Sequence, residues 1–265
     1  MTQNTVNRQR TYRTRAVILR RRDFGEADRI LTIYTPDHGK KTAIAKGIRK
    51  TASRKAGHLE LFTHTALLLA HARTWDIVTE AVTVEAFGRL RQQLDCIGYA
   101  SYVCELIDCF TEEEDENQLL WDLLLLVLRE LDDAARGPAR TEKSDVLLRW
   151  FELHLLSLTG FQPELFHCLD CGDDLEAVTN YLVLHEGGIV CPRCRARREE
   201  GEELDVDTLK VLRYLQSQPW SVVSQLSVRG PILLRIQNIL YRYLLQILER
   251  HLKSTEFLRR LQRLE

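Results

Sequence analysis

No stretch of this chain is long and apolar enough to cross a bilayer. The greasiest run, LLWDLLLLVL from Leu119 to Leu128, is interrupted by Asp122 and bounded by Glu116 and Arg129. It is roughly half the ~20 residues that a membrane helix needs. The opening MTQNTVNRQRTYR has no apolar core of the kind a secretory signal requires. These absences predict a cytoplasmic protein with no membrane partner, whose seven cysteines are reduced thiols or metal ligands rather than disulfides. Enzyme signatures are missing as well. There is no G-x-x-x-x-G-K-[S/T] loop to cradle a nucleotide. The metalloprotease H-E-x-x-H fails because Ile189 stands where its second histidine belongs, and no H-x-E precedes a P-C-x-x-C as in the zinc deaminases. Helix-turn-helix placement and an RNP-type aromatic motif are also absent, so base-specific reading of nucleic acid is not predicted.

What is present is an ordinary globular composition. The 265 residues are 45% hydrophobic and 28% charged, enough for about two domains. The formal net charge of -1 hides an asymmetry. Residues 1–85 hold sixteen Lys/Arg and eight Asp/Glu, a net of +8, so the remainder sums to -9. The positive charge concentrates at Arg20–Arg22 and between Lys40 and Lys55, where AKGIRKTASRK carries five cations and no acid. Such clustering predicts a polyanion-binding module beside a more acidic module with other partners.

From Tyr12 the chain reads as short β-type runs, TRAVILRRR, DRILTIYT, KTAIAKG, LFTHTALLLAHA and WDIVTEAVTVE, with turn residues at PDHGK. Five strands with a long basic connection after the third predict a small closed barrel, of the OB or the SH3-like type. Near Glu85 the apolar period lengthens to three and four residues, and helices follow over about 87–110, 118–135, 143–158 and 231–252. The acidic run Glu112–Glu116 reads as a solvated loop, and Cys96, Cys104 and Cys109 as small core residues. The expected class is therefore α+β, with a barrel over 1–85 and a mainly helical domain over 86–265.

A further motif interrupts the helical pattern at about 165–200. Cys168 and Cys171 form one C-x-x-C and Cys191 and Cys194 another, the spacing of a four-thiolate zinc site. Zn²⁺ takes four soft ligands in a tetrahedron, and each tight C-x-x-C turn supplies two. Two redox pairs or four buried thiols are the alternatives. With every position filled by protein, the metal is structural rather than catalytic.

The candidate phosphate-binding residues are Arg20, Arg22, Lys40, Lys41, Lys46, Arg49, Lys50, Arg54 and Lys55, with Phe24, Tyr34 and Phe62 available to stack bases. A solvated basic loop without a partner is the plainer alternative. The run GEADRILTIYTPDHGK, the loop AKGIRK with its following serine, and TGFQPELFHCLDCG leading into CPRC resemble the bacterial RecO recombination mediator family over nearly the whole chain. Where that family usually has a small residue and two arginines, this chain has Ile48, Arg49 and Lys50.

The resemblance implies an N-terminal OB fold, a helical domain and a zinc finger with Cys168, Cys171, Cys191 and Cys194 as ligands. It implies a non-enzymatic, nucleoid-associated protein that binds single- and double-stranded DNA and anneals complementary strands. With RecR it would help RecA displace the single-strand-binding protein. That protein's acidic, apolar C-terminal tail is expected on the helical domain, with Arg235 and Arg242 as candidate contacts. Arg193, Arg195, Arg197 and Arg198 are expected either to add phosphate contacts or to balance the acids of 199–203. The competing readings are an RNA-binding OB and zinc module, and an adaptor whose barrel is only structural.

Overall fold

The computed structural model describes residues 10–137, 140–249 and 252–254. The chain resolves into two compact units, Met1–Gln92 with Val103–Arg129, and Gln93–Tyr102 with Glu130–Glu265. A central helical segment, Val103–Arg129, clusters with the N-terminal strands.

In the first unit, β1 (Thr11–Phe24), β2 (Asp28–Thr35), β3 (Gly39–Ala45), β4 (His64–Ala70) and β5 (Asp76–Glu85) close a barrel in the order β1-β2-β3-β5-β4. Closure is made by parallel pairing of β3 with β5, Ala43 opposite Asp76 and Ile44 opposite Ile77. This is the five-stranded OB architecture, and it leaves no sheet edge open. β1 is long enough to serve both neighbours. An irregularity between Ile18 and Arg20 lets its first half pair with β4 and its second with β2. Alternate residues point inward, so Ala16 and Ile18, Leu31 and Ile33, Ala43 and Ala45, and Leu67 and Leu69 share one core. The mixture of alanines with larger aliphatic residues suits the narrow interior of a small barrel. Two further members of that core, Ile48 and Leu59, come from the loop after β3. The residue that departs from the family's small side chain is therefore a buried anchor, 2% exposed.

The helices are α1 (Leu94–Phe110), α2 (Gln118–Ala134), α3 (Arg140–Leu158), α4 (Pro192–Arg195), α5 (Val206–Ser217), α6 (Trp220–Val223) and α7 (Gly230–Leu248). The expected break after α2 begins at the described Gly137, while its Pro138 lies outside the described residues, as does part of the predicted end of the last helix. α3 is buried on nearly every side, with Val146, Leu147, Leu148, Trp150, Phe151, Leu153, Leu155 and Leu156 all inside. It packs on α5 and α7, which explains why its apolar residues show no single face. Asp205 caps α5 by accepting the Thr208 N–H at 2.8 Å, and Pro231 sits in the first turn of α7. Among the described residues no helix is long and apolar enough to cross a membrane.

The segment between α3 and α5 is more ordered than its sequence pattern suggests. β6 (Glu164–Cys168), β7 (Asn180–Val183), β8 (Gly188–Val190) and β9 (Glu202–Leu204) form a four-stranded sheet in the order β6-β8-β7-β9. These strands are only three to five residues long, too short for an alternating pattern to register in sequence.

Candidate nucleic-acid interface and metal centre

The outer face of β1, β2 and β3 carries a row set by strand register. Arg20 lies opposite Thr32, and Thr32 opposite Thr42. One step along, Arg22 lies opposite Ile30. With Trp75, which precedes β5, these residues line an open groove of about 410 Å³. The Phe24 ring meets the Trp75 ring edge-on at 5.6 Å and is 44% exposed. The groove therefore combines guanidinium groups, hydroxyls and an accessible aromatic pair.

The basic loop leaves β3 at the end of this face that holds the β1–β2 turn. Gly47, with a left-handed φ of 65°, donates its N–H to Asp28 Oδ1 at 2.7 Å. The Arg49 N–H reaches the Ala27 carbonyl at 2.9 Å. Between these bonds and the buried Ile48 and Leu59, the loop backbone is pinned to the barrel.

The predicted cations fall into three groups. Arg22, Lys46, Lys50 and Arg54 are exposed, and among the described residues their side chains make no hydrogen bond or ion pair. Arg20 and Arg49 are shared, Arg20 lying 3.6 Å from Asp108 and Arg49 3.4 Å from Asp23. Lys40, Lys41 and Lys55 are engaged. Lys55 donates to the Val78 carbonyl at 2.7 Å, and burial draws its ammonium below the ordinary lysine range. Lys40 donates to the Asp108 carbonyl at 2.6 Å, and Lys41 to Glu114 at 3.0 Å.

Two expected stacking platforms are interior. Tyr34 is fully buried with its hydroxyl on the Asn117 carbonyl at 3.4 Å, and burial raises its phenol. Phe62 is 3% exposed. Trp75 lines the groove where they do not, and the signal for it was its position between the exposed HART turn and the start of β5. The run Glu112–Glu116 is not a detached loop, since Glu113 forms backbone bridges with Gly39 and Lys40 on β3.

In the second unit the four cysteine sulfurs of Cys168, Cys171, Cys191 and Cys194 all lie within 4.8 Å of one another. A tetrahedron with metal–sulfur bonds of roughly 2.3 Å has edges of about 3.8 Å, and Cys171 and Cys191 stand 4.0 Å apart. Gly172, at φ 73°, makes the first turn, its N–H bonding the Cys168 carbonyl at 2.9 Å. Cys191 precedes α4, and its own N–H points at Cys168 Sγ at 3.3 Å. Although burial opposes it, backbone N–H donors from Cys171, Cys191 and Asp170 bring the Cys168 thiol down to about 6, whereas burial and the neighbouring sulfurs push Cys194 up to about 12. Sulfurs this close do not all ionise without a cation among them, so the cluster fits a metal ion.

Of the arginines around this centre, Arg197 is exposed with no side-chain partner among the described residues, and the other three are occupied. Arg193 pairs with Asp173, Arg198 with both Asp170 and Glu186, and Arg195 lies over the Tyr181 ring at 5.5 Å. Arg235 bonds Asp205 at 2.8 Å and the Glu203 carbonyl, and Arg242 bonds Glu202 at 2.5 Å, so both tether α7 to the chain around β9.

The family is decided by comparison with known proteins. Residues 9–87 match the model for the recombination protein O N terminal, and residues 91–256 that for the recombination protein O C terminal. The chain belongs to the RecO family. Among its relatives, the DNA repair protein RecO of Roseiflexus sp. (strain RS-1) is 43% identical over 95% of this chain and 86% of its own length. That of Dehalococcoides mccartyi (strain ATCC BAA-2266 / KCTC 15142 / 195) is 38% identical over 95% of this chain and 96% of its own. That of Pelotomaculum thermopropionicum is 41% identical over 94% of each chain.

Proposed function

We propose that this RecO-family chain acts in DNA repair as a recombination mediator without a covalent step of its own. It binds single- and double-stranded DNA through the β1–β3 groove and the basic loop, and it anneals complementary strands. With RecR it helps load RecA onto DNA coated by single-strand-binding protein, whose tail is assigned to the helical unit. The observation that carries the reading is the half-buried Trp75, with exposed Phe24 against it, set beside Arg20 and Arg22 on an OB barrel. Aromatic faces stack bases of any sequence while guanidinium groups follow the phosphates. Lys46, Lys50 and Arg54, without a side-chain partner among the described residues, extend that track along the loop, and phosphate neutralisation lowers the repulsion that keeps two strands apart.

The metal in the cysteine centre is assigned as Zn²⁺. Four soft thiolates in a tetrahedral set suit that ion, and a site closed by protein ligands contributes folding free energy rather than catalysis. The deciding experiment measures fluorescence anisotropy of a labelled single-stranded DNA oligomer over a series of salt concentrations, with unlabelled RNA and duplex DNA as competitors. Tight DNA binding that falls linearly in log-log salt supports the mediator reading. Preference for RNA transfers the groove to an RNA-binding module, and no binding at low salt reduces the barrel to a scaffold for an adaptor.

A further inference from the structure

The end of the groove opposite the basic loop is covered by the chain's own acids. Thr111, which bonds back to Ile107 at 2.7 Å, closes α1, and Asn117, which accepts the Leu120 N–H at 3.0 Å, opens α2. The five acids of 112–116 are strung between these two fixed points. They lie on β3 through backbone as well as side chains. The Glu114 N–H donates to the Lys40 carbonyl at 3.0 Å, and Glu113 bridges Gly39 and Lys40. Glu113 accepts the Thr42 hydroxyl at 2.9 Å, Glu114 takes Lys41, and Asp108 approaches Lys40 at 3.4 Å and Arg20 at 3.6 Å.

Arg20 and Thr42 also line the groove, so the acidic segment and an incoming strand compete for the same donors. Glu114 itself is held at φ 63°, a left-handed conformation unusual for a glutamate. Its carboxylate is 75% exposed, and an exposed ion pair contributes only about 0.2–1 kcal/mol. The strap's backbone bonds keep it on β3, while its carboxylates are held weakly enough to yield to a polyphosphate that presents several charges at once.

We propose that Asp108 and the strap Glu112–Glu116 are an autoinhibitory stand-in for the phosphate backbone, occupying the Arg20, Thr42 and Lys40 end of the β1–β3 face until a strand displaces it. The proposal rests on the groove being the nucleic-acid site, and it concerns that site's regulation. Resting binding then uses the loop cations alone, and only a strand that spans loop and groove together gains the rest.

The test uses the full chain with Asp108→Asn, Glu113→Gln and Glu114→Gln combined, and a labelled single-stranded DNA oligomer read by anisotropy. Removing the acid beside Arg20 and Lys40 steepens the log-log salt slope by about 1.4, at roughly 0.7 per phosphate contact on a single strand, and tightens low-salt binding at least tenfold. The gain disappears when Arg20→Gln and Lys40→Gln are added. A second variant separates release of the strap from a general change in charge. A methyl group at Gly39 collides with the Asp115 backbone, so Gly39→Ala lifts the strap at constant net charge and also tightens binding.

Wild-type affinity and slope in both variants, with native circular dichroism, overturn the proposal, as does a gain that survives loss of both Arg20 and Lys40. If neutralising Arg22, Lys46, Lys50 and Arg54 leaves wild-type binding unaltered, the groove reading itself has failed. That outcome is distinct from a strap that does nothing.

Discussion

Replacing Arg22, Lys46, Lys50 and Arg54 together by glutamine removes the four cations whose side chains have no protein partner among the described residues. Each phosphate contact on single-stranded DNA contributes about -0.7 to the slope of log K against log salt, so the variant's slope is shallower by about 2.8. Between 50 and 200 mM salt, a fourfold change, that difference corresponds to roughly 50-fold in relative affinity. Because these side chains only face solvent, the substitutions leave stability within about 0.5 kcal/mol, and the thermal midpoint serves as an internal control. Anisotropy titrations of wild type and variant at four or five salt concentrations give both slopes directly. An unchanged slope refutes the assignment of these residues to phosphate. A loss of affinity equal at all salts shows that the substitutions acted on shape rather than charge.

Ile48→Ala removes a core anchor from the basic loop, and large-to-small core changes of this type cost about 2–5 kcal/mol. Urea denaturation measures the loss, and limited proteolysis finds new cleavage between 46 and 58. The Arg129 guanidinium, donating twice to Glu85 at 2.8 Å against the cost of burial and aided by His64, holds the Glu85 carboxyl at about 2 instead of 4.5. A depressed acid stabilises the fold above its unfolded value, so this contribution is complete above about pH 4.5 and is lost as pH falls toward 2. Its size is about 1–2 kcal/mol after allowance for solvent screening at a site one-third exposed, and Glu85→Gln removes that segment of the stability–pH curve. Cys171→Ser, or a strong chelator, releases one equivalent of metal, and amide exchange then accelerates in β6–β9 while β1–β5 keep their protection. Full metal content in the Cys171→Ser protein, or unchanged exchange in β6–β9 after release, contradicts a four-thiolate structural site.

Much of this molecule was legible from residue spacing. The β-type runs DRILTIYT and KTAIAKG with the PDHGK turn announced barrel strands, and the paired C-x-x-C motifs announced the metal centre, because both signals are local. Barrel type was not local. OB and SH3-like barrels share strand count, and only the β3–β5 pairing separates them. The stacking residues were assigned by type alone, and Tyr34 was hidden by Asn117, more than eighty positions away in sequence. Charge patterning located the basic clusters correctly as clusters. It did not tell Lys50, facing water, from Lys41, paired with Glu114, since the acids that decide this arrive from a segment read as a separate loop. The four short strands around the cysteines left too few residues each to show a period.

Anchoring the basic loop through Ile48 and Leu59 has a thermodynamic consequence for recognition. A disordered cationic segment loses chain entropy when it meets its ligand, with roughly 0.5–1.5 kcal/mol for each long side chain immobilised. Here the backbone that carries Lys46, Lys50 and Arg54 is ordered when the barrel folds, so its part of that cost falls on folding and not on association. The cations hold a fixed spacing along the strand, the association step stays fast, and affinity is tied to the melting of a hydrophobic core.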